Sequence, residues 1–179
     1  MQPGDKAALL IVHFGTTHDL TRKRTIEVIN NKMKSAFPDV TIREAYTSRI
    51  VINRLKKNNI IKQTPTEVLF SLKEEGYTHI IVQSSNIIEG IEMDALRHEI
   101  ENMEPQFKDI RIGNPLLYTV EDYEKVVDVL SAEYKGNNST LFVGHGTYTP
   151  ATACYAMLDY MLKDKGFSQM HIGTIEGYP

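Results

Sequence analysis

A single cysteine, Cys154, stands in a chain of 179 residues. It has no partner for an internal disulfide, which predicts a reducing compartment. One cysteine also excludes a cysteine-rich zinc site. No apolar run approaches the roughly 20 residues that a membrane helix needs. The start, Met1 to Lys6, lacks the charged-then-apolar order of a signal peptide. The phosphate-binding signatures G-x-G-x-x-G and G-x-x-x-x-G-K-[ST] are missing, so no nucleotide cofactor is expected. The G-x-S-x-G elbow of serine hydrolases is missing too. Basic charge is in short supply: 20 Lys+Arg face 23 Asp+Glu, a formal charge of -3. That argues against a protein built to coat nucleic acid. A soluble cytoplasmic protein, with neither nucleic acid nor membrane as partner, is the expectation.

What is present is an ordinary globular composition, 41% hydrophobic and 24% charged. Apolar runs alternate with amphipathic stretches. Ala7 to Phe14 is nearly unbroken and apolar, as in a strand buried on both faces. A polar, cationic helix is expected over Leu20–Phe37, with Ile26, Ile29, Met33 and Phe37 at helical spacing. Val40–Thr47 reads as a strand and Arg49–Lys57 as a short helix. Thr64, Pro65 and Glu67 spell a capping box that opens another helix, which Gly76 stops. Further strands are expected over His79–Ser84, Ile110–Leu116, Thr140–Val143 and Met170–Thr174. Helices are expected over Ile91–Met103, Val120–Tyr134 and Ala151–Lys165. Strands separated by helices predict an α/β fold, with a parallel sheet covered on both faces and ligands at the carboxyl ends of its strands.

One repeat is visible. Ile11-Val12-His13-Phe14-Gly15-Thr16 is similar to Phe142-Val143-Gly144-His145-Gly146-Thr147, and the two glycines lie 131 residues apart (146 − 15). Read as a domain repeat, this gives a first α/β domain over 1–135. The opening β-α-β portion of a second, incomplete domain follows over 136–179. Two similar βα turns are the plainer alternative.

His145 is the first candidate for chemistry. Flanking glycines let the backbone turn sharply and expose the imidazole, which suits metal binding or proton transfer. A histidine that merely terminates a strand is the alternative. Glu176 lies 31 residues on (176 − 145), one β-α-β unit later. Neighbouring strands are about 4.8 Å apart, so the two side chains are placed to share a pocket. A solvated loop glutamate is the bland reading. His13, Gly15, Thr16 and Thr17 follow the first strand, and Ser84, Ser85 and Asn86 follow the central one. Both groups are expected to line a pocket at the same sheet edge, against a plainer role in turns and caps. The basic face of Arg22, Lys23, Arg24, Lys32 and Lys34 reads as solvated.

These segments resemble the anaerobic cobalt chelatases, the sirohydrochlorin cobaltochelatase family. The resemblance runs through Val12 to His18, Tyr46 to Arg49, Gly113 to Tyr118 and Glu121 to Tyr123. Its most specific parts are Gly144-His145-Gly146-Thr147 and Gly173 to Pro179. It implies two similar α/β domains with a tetrapyrrole between them. It implies a lyase that inserts cobalt into a sirohydrochlorin-type ring in cobalamin biosynthesis, with the divalent metal as substrate. His145 becomes a metal ligand and catalytic group, with Glu176 supporting it. A further histidine of the family's second domain falls beyond Pro179. The family has histidine near Asn86, and histidine and asparagine where this chain reads Tyr148 to Thr152. By chemistry alone, histidine and carboxylate suit cobalt, nickel and iron alike. A module that binds metal or tetrapyrrole without turnover, or a fragment of a longer chelatase, is the alternative. The open sheet edge of an incomplete second domain favours homo-oligomers.

Overall fold

A computed structural model describes residues 2–132, 134, 136 and 138–178. The chain divides into two compact units, 1–86 with 92–114, and 87–91 with 115–179. The first unit is built on β1 (Ala7–His13), β2 (Thr41–Tyr46), β3 (His79–Ser84) and β4 (Asp109–Ile112). They form one parallel sheet in the order β2-β1-β3-β4. Its helices are α1 (Asp19–Arg24), α2 (Ile26–Ala36), α3 (Arg49–Lys56), α4 (Pro65–Glu74) and α5 (Ile91–Met103).

The central strand β1 is buried almost throughout, as its unbroken apolar run predicts. Strand alternation sends Ala8, Leu10 and Val12 into a core with Leu69 and Leu72 of α4 and Met93 and Leu96 of α5. Leu9, Ile11 and His13 take the other face, where α2 lies. The expected capping box is present. Glu67 N–H donates to Thr64 Oγ1 at 3.3 Å, and Thr64 N–H donates to Glu67 Oε2 at 2.7 Å.

The helix expected over Leu20–Phe37 is broken at Thr25, whose backbone leaves helical values (φ -124°, ψ -77°). Thr25 Oγ1 donates to the Thr21 carbonyl at 2.7 Å, the back-bonding that bends helices at threonine. Only Ile26 of α2 is buried, so little packing holds the two pieces in line. Strand β4 ends at Ile112, short of the expected Leu116. Gly113 and Asn114 lead into Pro115, which has no N–H for a ladder.

The second unit holds α6 (Val120–Ala132), β5 (Thr140–Thr147), α7 (Ala153–Asp164) and β6 (Met170–Gly177). Strands β5 and β6 pair in parallel as a two-stranded sheet. Leu117, Tyr123 and Val127 pack with Leu158 and Leu162 of α7 and Met170 of β6. That packing places α6 in the second unit. Both strands run past their expected ends at Val143 and Thr174, because pairing continues through Gly146 with Glu176 and Thr147 with Gly177. The helix expected from Ala151 opens with a 3-10 turn, Pro150–Thr152, before α7. Among the described residues no helix is long and apolar enough to cross a membrane.

Candidate active site

In the first unit the chain runs from β1 out to β2 on one side, then returns as β3 on the other. The carboxyl ends of β1 and β3 therefore flank a topological switch point, where open α/β sheets bind ligands. His13 ends β1, and Ser84 to Asn86 end β3. The structure joins these segments directly. Ser85 N–H donates to the Val12 carbonyl at 2.9 Å, and Ser85 Oγ lies 2.8 Å from His13 Nδ1. Ser84 Oγ, buried, accepts from Asn86 N–H at 3.1 Å. The Asn86 amide reaches Met93 Sδ at 3.9 Å.

His13 is 1% exposed. Its Nε2 lies 3.0 Å from Asn30 Oδ1 of α2, and Asn30 Nδ2 donates to Glu44 Oε2 of β2 at 2.5 Å. Glu44 also pairs with Lys62, whose ammonium sits 5.0 Å from the centre of the Tyr46 ring. The His13 and Tyr46 rings meet edge to face, with centroids 6.3 Å apart. Burial holds the His13 imidazole below its ordinary pKa, against an opposing pull from Asn30 and Glu44. Burial pushes the Tyr46 phenol up to about 12.

Gly15 makes the turn after β1 with φ +96°, and a Cβ there would meet Tyr46 Cδ2 at 2.4 Å. The loop can cross that ring closely only as glycine. Thr16 Oγ1 accepts from His18 N–H at 3.2 Å, and Thr17 is half-buried beside it. Asn30, Glu44 and Lys62 escape a motif search. The one signal was that Glu44 and Tyr46, two apart on a strand, share a face.

A groove of about 820 Å³ in the first unit lies elsewhere. Arg49, Ile52 and Lys56 of α3 line it with Thr64, Glu67 and Phe70, and none of the expected site residues does. It is an open surface trough, whereas the switch point is where chain topology converges polar groups.

In the second unit His145 stands near the end of β5, exposed and without a hydrogen bond to its ring among the described residues. By alternation it follows Leu141 and Val143, each 61% exposed, on the open face of the sheet. Glu176 pairs in register with Gly146, one step past His145. Glu176 is exposed at the end of β6. The strands bring the two residues to one end of the sheet. Among the described residues no group of three or more His, Cys, Asp or Glu side chains is assembled as a metal site.

A family model described as "Cobalt chelatase (CbiK)" matches residues 7–179. The sirohydrochlorin cobaltochelatase of Salmonella typhimurium is 32% identical over 178 residues, 97% of this chain and 67% of that protein. The sirohydrochlorin cobaltochelatase CbiKC of Nitratidesulfovibrio vulgaris is 30% identical over 181 residues, 98% of this chain and 64% of that protein. The chain thus spans about two-thirds of the length of these curated relatives. With the Gly-His-Gly-Thr strand end and the Glu-Gly-Tyr end of β6 both inside the matched span, the chain belongs to the cobalt chelatase family.

Proposed function

We propose that this chain is a metal-inserting lyase, which places cobalt in a sirohydrochlorin-type ring on the route to cobalamin. The observation that carries the reading is His145, an exposed imidazole with no competing hydrogen bond among the described residues, at a strand end inside the matched span. A neutral imidazole holds a divalent ion while leaving coordination positions open for ring nitrogens. Cobalt insertion also releases two N–H protons from the ring, which need an acceptor. Glu176 is the carboxylate nearest in register. Exposed at the end of β6, it suits accepting those protons.

Gly15, Thr16 and Thr17 with Ser84, Ser85 and Asn86 form the ring-binding edge of the first unit, and the buried His13 acts behind them through Ser85. Cobalt is the metal named in the family and in both relatives, and here it is substrate. The scheme needs no nucleotide.

The test is anaerobic incubation with Co²⁺ and sirohydrochlorin, followed by visible absorbance. Insertion faster than the protein-free reaction supports the lyase. Ring binding without acceleration supports a binding module instead. Neither binding nor acceleration refutes both.

A further inference from the structure

The hydrogen-bonded chain Glu44–Asn30–His13–Ser85, half-buried except for the buried His13, has a direction that its chemistry dictates. A carboxylate only accepts hydrogen bonds, so the Asn30 amide must turn its NH2 toward Glu44, at 2.5 Å. Asn30 Oδ1 then faces His13 Nε2 at 3.0 Å, and an amide oxygen also only accepts. Nε2 therefore carries the proton of the neutral imidazole, and Nδ1 is bare. A bare Nδ1 at 2.8 Å accepts the hydroxyl proton of Ser85.

The consequence lies at Ser85. Its only proton is committed inward, so toward the switch point it presents lone pairs alone. Among the described residues no second hydrogen bond reaches Ser85 Oγ, and the residue is half-buried at the carboxyl end of β3. A hydroxyl held this way cannot donate to a carboxylate. It can accept from an N–H.

We infer that Ser85 is a specificity residue that accepts a hydrogen bond from a ring N–H of the ligand, with His13 and Asn30 as positioning residues that hold it as an acceptor. This rests on the chelatase reading above. The periphery of a tetrapyrrole acid offers carboxylates, which Ser85 in this state rejects. The inner nitrogens of the metal-free ring offer N–H groups, and metal insertion removes them. The contact thus distinguishes substrate from product.

The experiment is equilibrium binding of metal-free sirohydrochlorin and of its cobalt complex to wild type, Ser85→Ala and Ser85→Thr, together with nitrogen-15 NMR of the histidines. Ser85→Ala is expected to weaken the metal-free ring about ten-fold, the worth of one hydrogen bond. It should leave the cobalt complex unchanged, and Ser85→Thr should restore the loss. The His13 spectrum should show a protonated Nε2 and a bare Nδ1. Equal loss for both rings, no loss for either, or a protonated Nδ1 overturns this inference alone. Wild-type protein that binds neither ring overturns the functional reading, and this inference with it. Asn30→Leu supplies a variant that leaves both His13 and Ser85 in place. It should weaken the metal-free ring selectively, and an unselective effect counts against the positioning role.

Discussion

Gly146 and Glu176 face each other across the ends of β5 and β6 so closely that a Cβ on Gly146 would lie 1.8 Å from the Glu176 carbonyl oxygen. Gly146 also holds φ +85°, a region that side chains disfavour. The obstacle is backbone, which cannot rotate aside as a side chain can. Gly146→Ala is therefore expected to part the two strand ends and cost about 3 kcal/mol or more. Gly166→Ala is the control: its φ is +91° but nothing lies within 4 Å, so only backbone strain of about 1 kcal/mol is expected. Urea unfolding of the two variants separates clash from strain.

The His13 imidazole gives the stability a defined acid limb. Its folded pKa is lowered from 6.5, chiefly by burial. Below pH 6.5 the unfolded chain takes up this proton before the folded one does, so stability falls as the pH falls toward the folded pKa. Above that window His13 contributes no slope. Substituting His13→Gln should flatten this limb in urea unfolding between pH 5 and 8. An unchanged slope would mean that His13 titrates normally.

The Thr64–Glu67 box is a local test of helix initiation. The Thr64 N–H, at 2.7 Å, and the Thr64 hydroxyl, at 3.0 Å, both donate to Glu67 Oε2 and hold its carboxyl below its ordinary range. Thr64→Ala removes an acceptor for an otherwise orphaned N–H and should cost about 1 kcal/mol, read as a lowered melting temperature.

Much of this fold was legible because periodicity and caps are local. Strand β3 and helix α5 fall at their expected residues, and the Thr64 cap is where its spelling put it. The break at Thr25 was not legible, because one side-chain bond to Thr21 outweighs a helical pattern that buries little. The packing of α6 on α7 was not legible either, because it depends on contacts between elements and not on a local pattern. At the candidate site, His145 and Glu176 were readable as strand-end residues. Their offset of one step depends on a register that spacing alone cannot give. The partners of His13 were hidden for a similar reason: Asn30 and Glu44 reach it from two other elements.

The roles proposed for His145 and Glu176 predict that binding and insertion separate in one variant. Glu176→Gln should keep cobalt binding near wild type while slowing insertion at least ten-fold, since proton acceptance is lost and the ligand is not. Cobalt titration and insertion rates on the same protein check it. Loss of cobalt binding in Glu176→Gln would make the carboxylate a ligand.

The most direct measurement is the initial rate of cobalt insertion into sirohydrochlorin by wild type and His145→Ala side by side, with folding of both checked by circular dichroism. The account predicts a wild-type rate above the protein-free reaction and a folded variant at that background. Equal rates for two folded proteins above background would contradict the role given to His145.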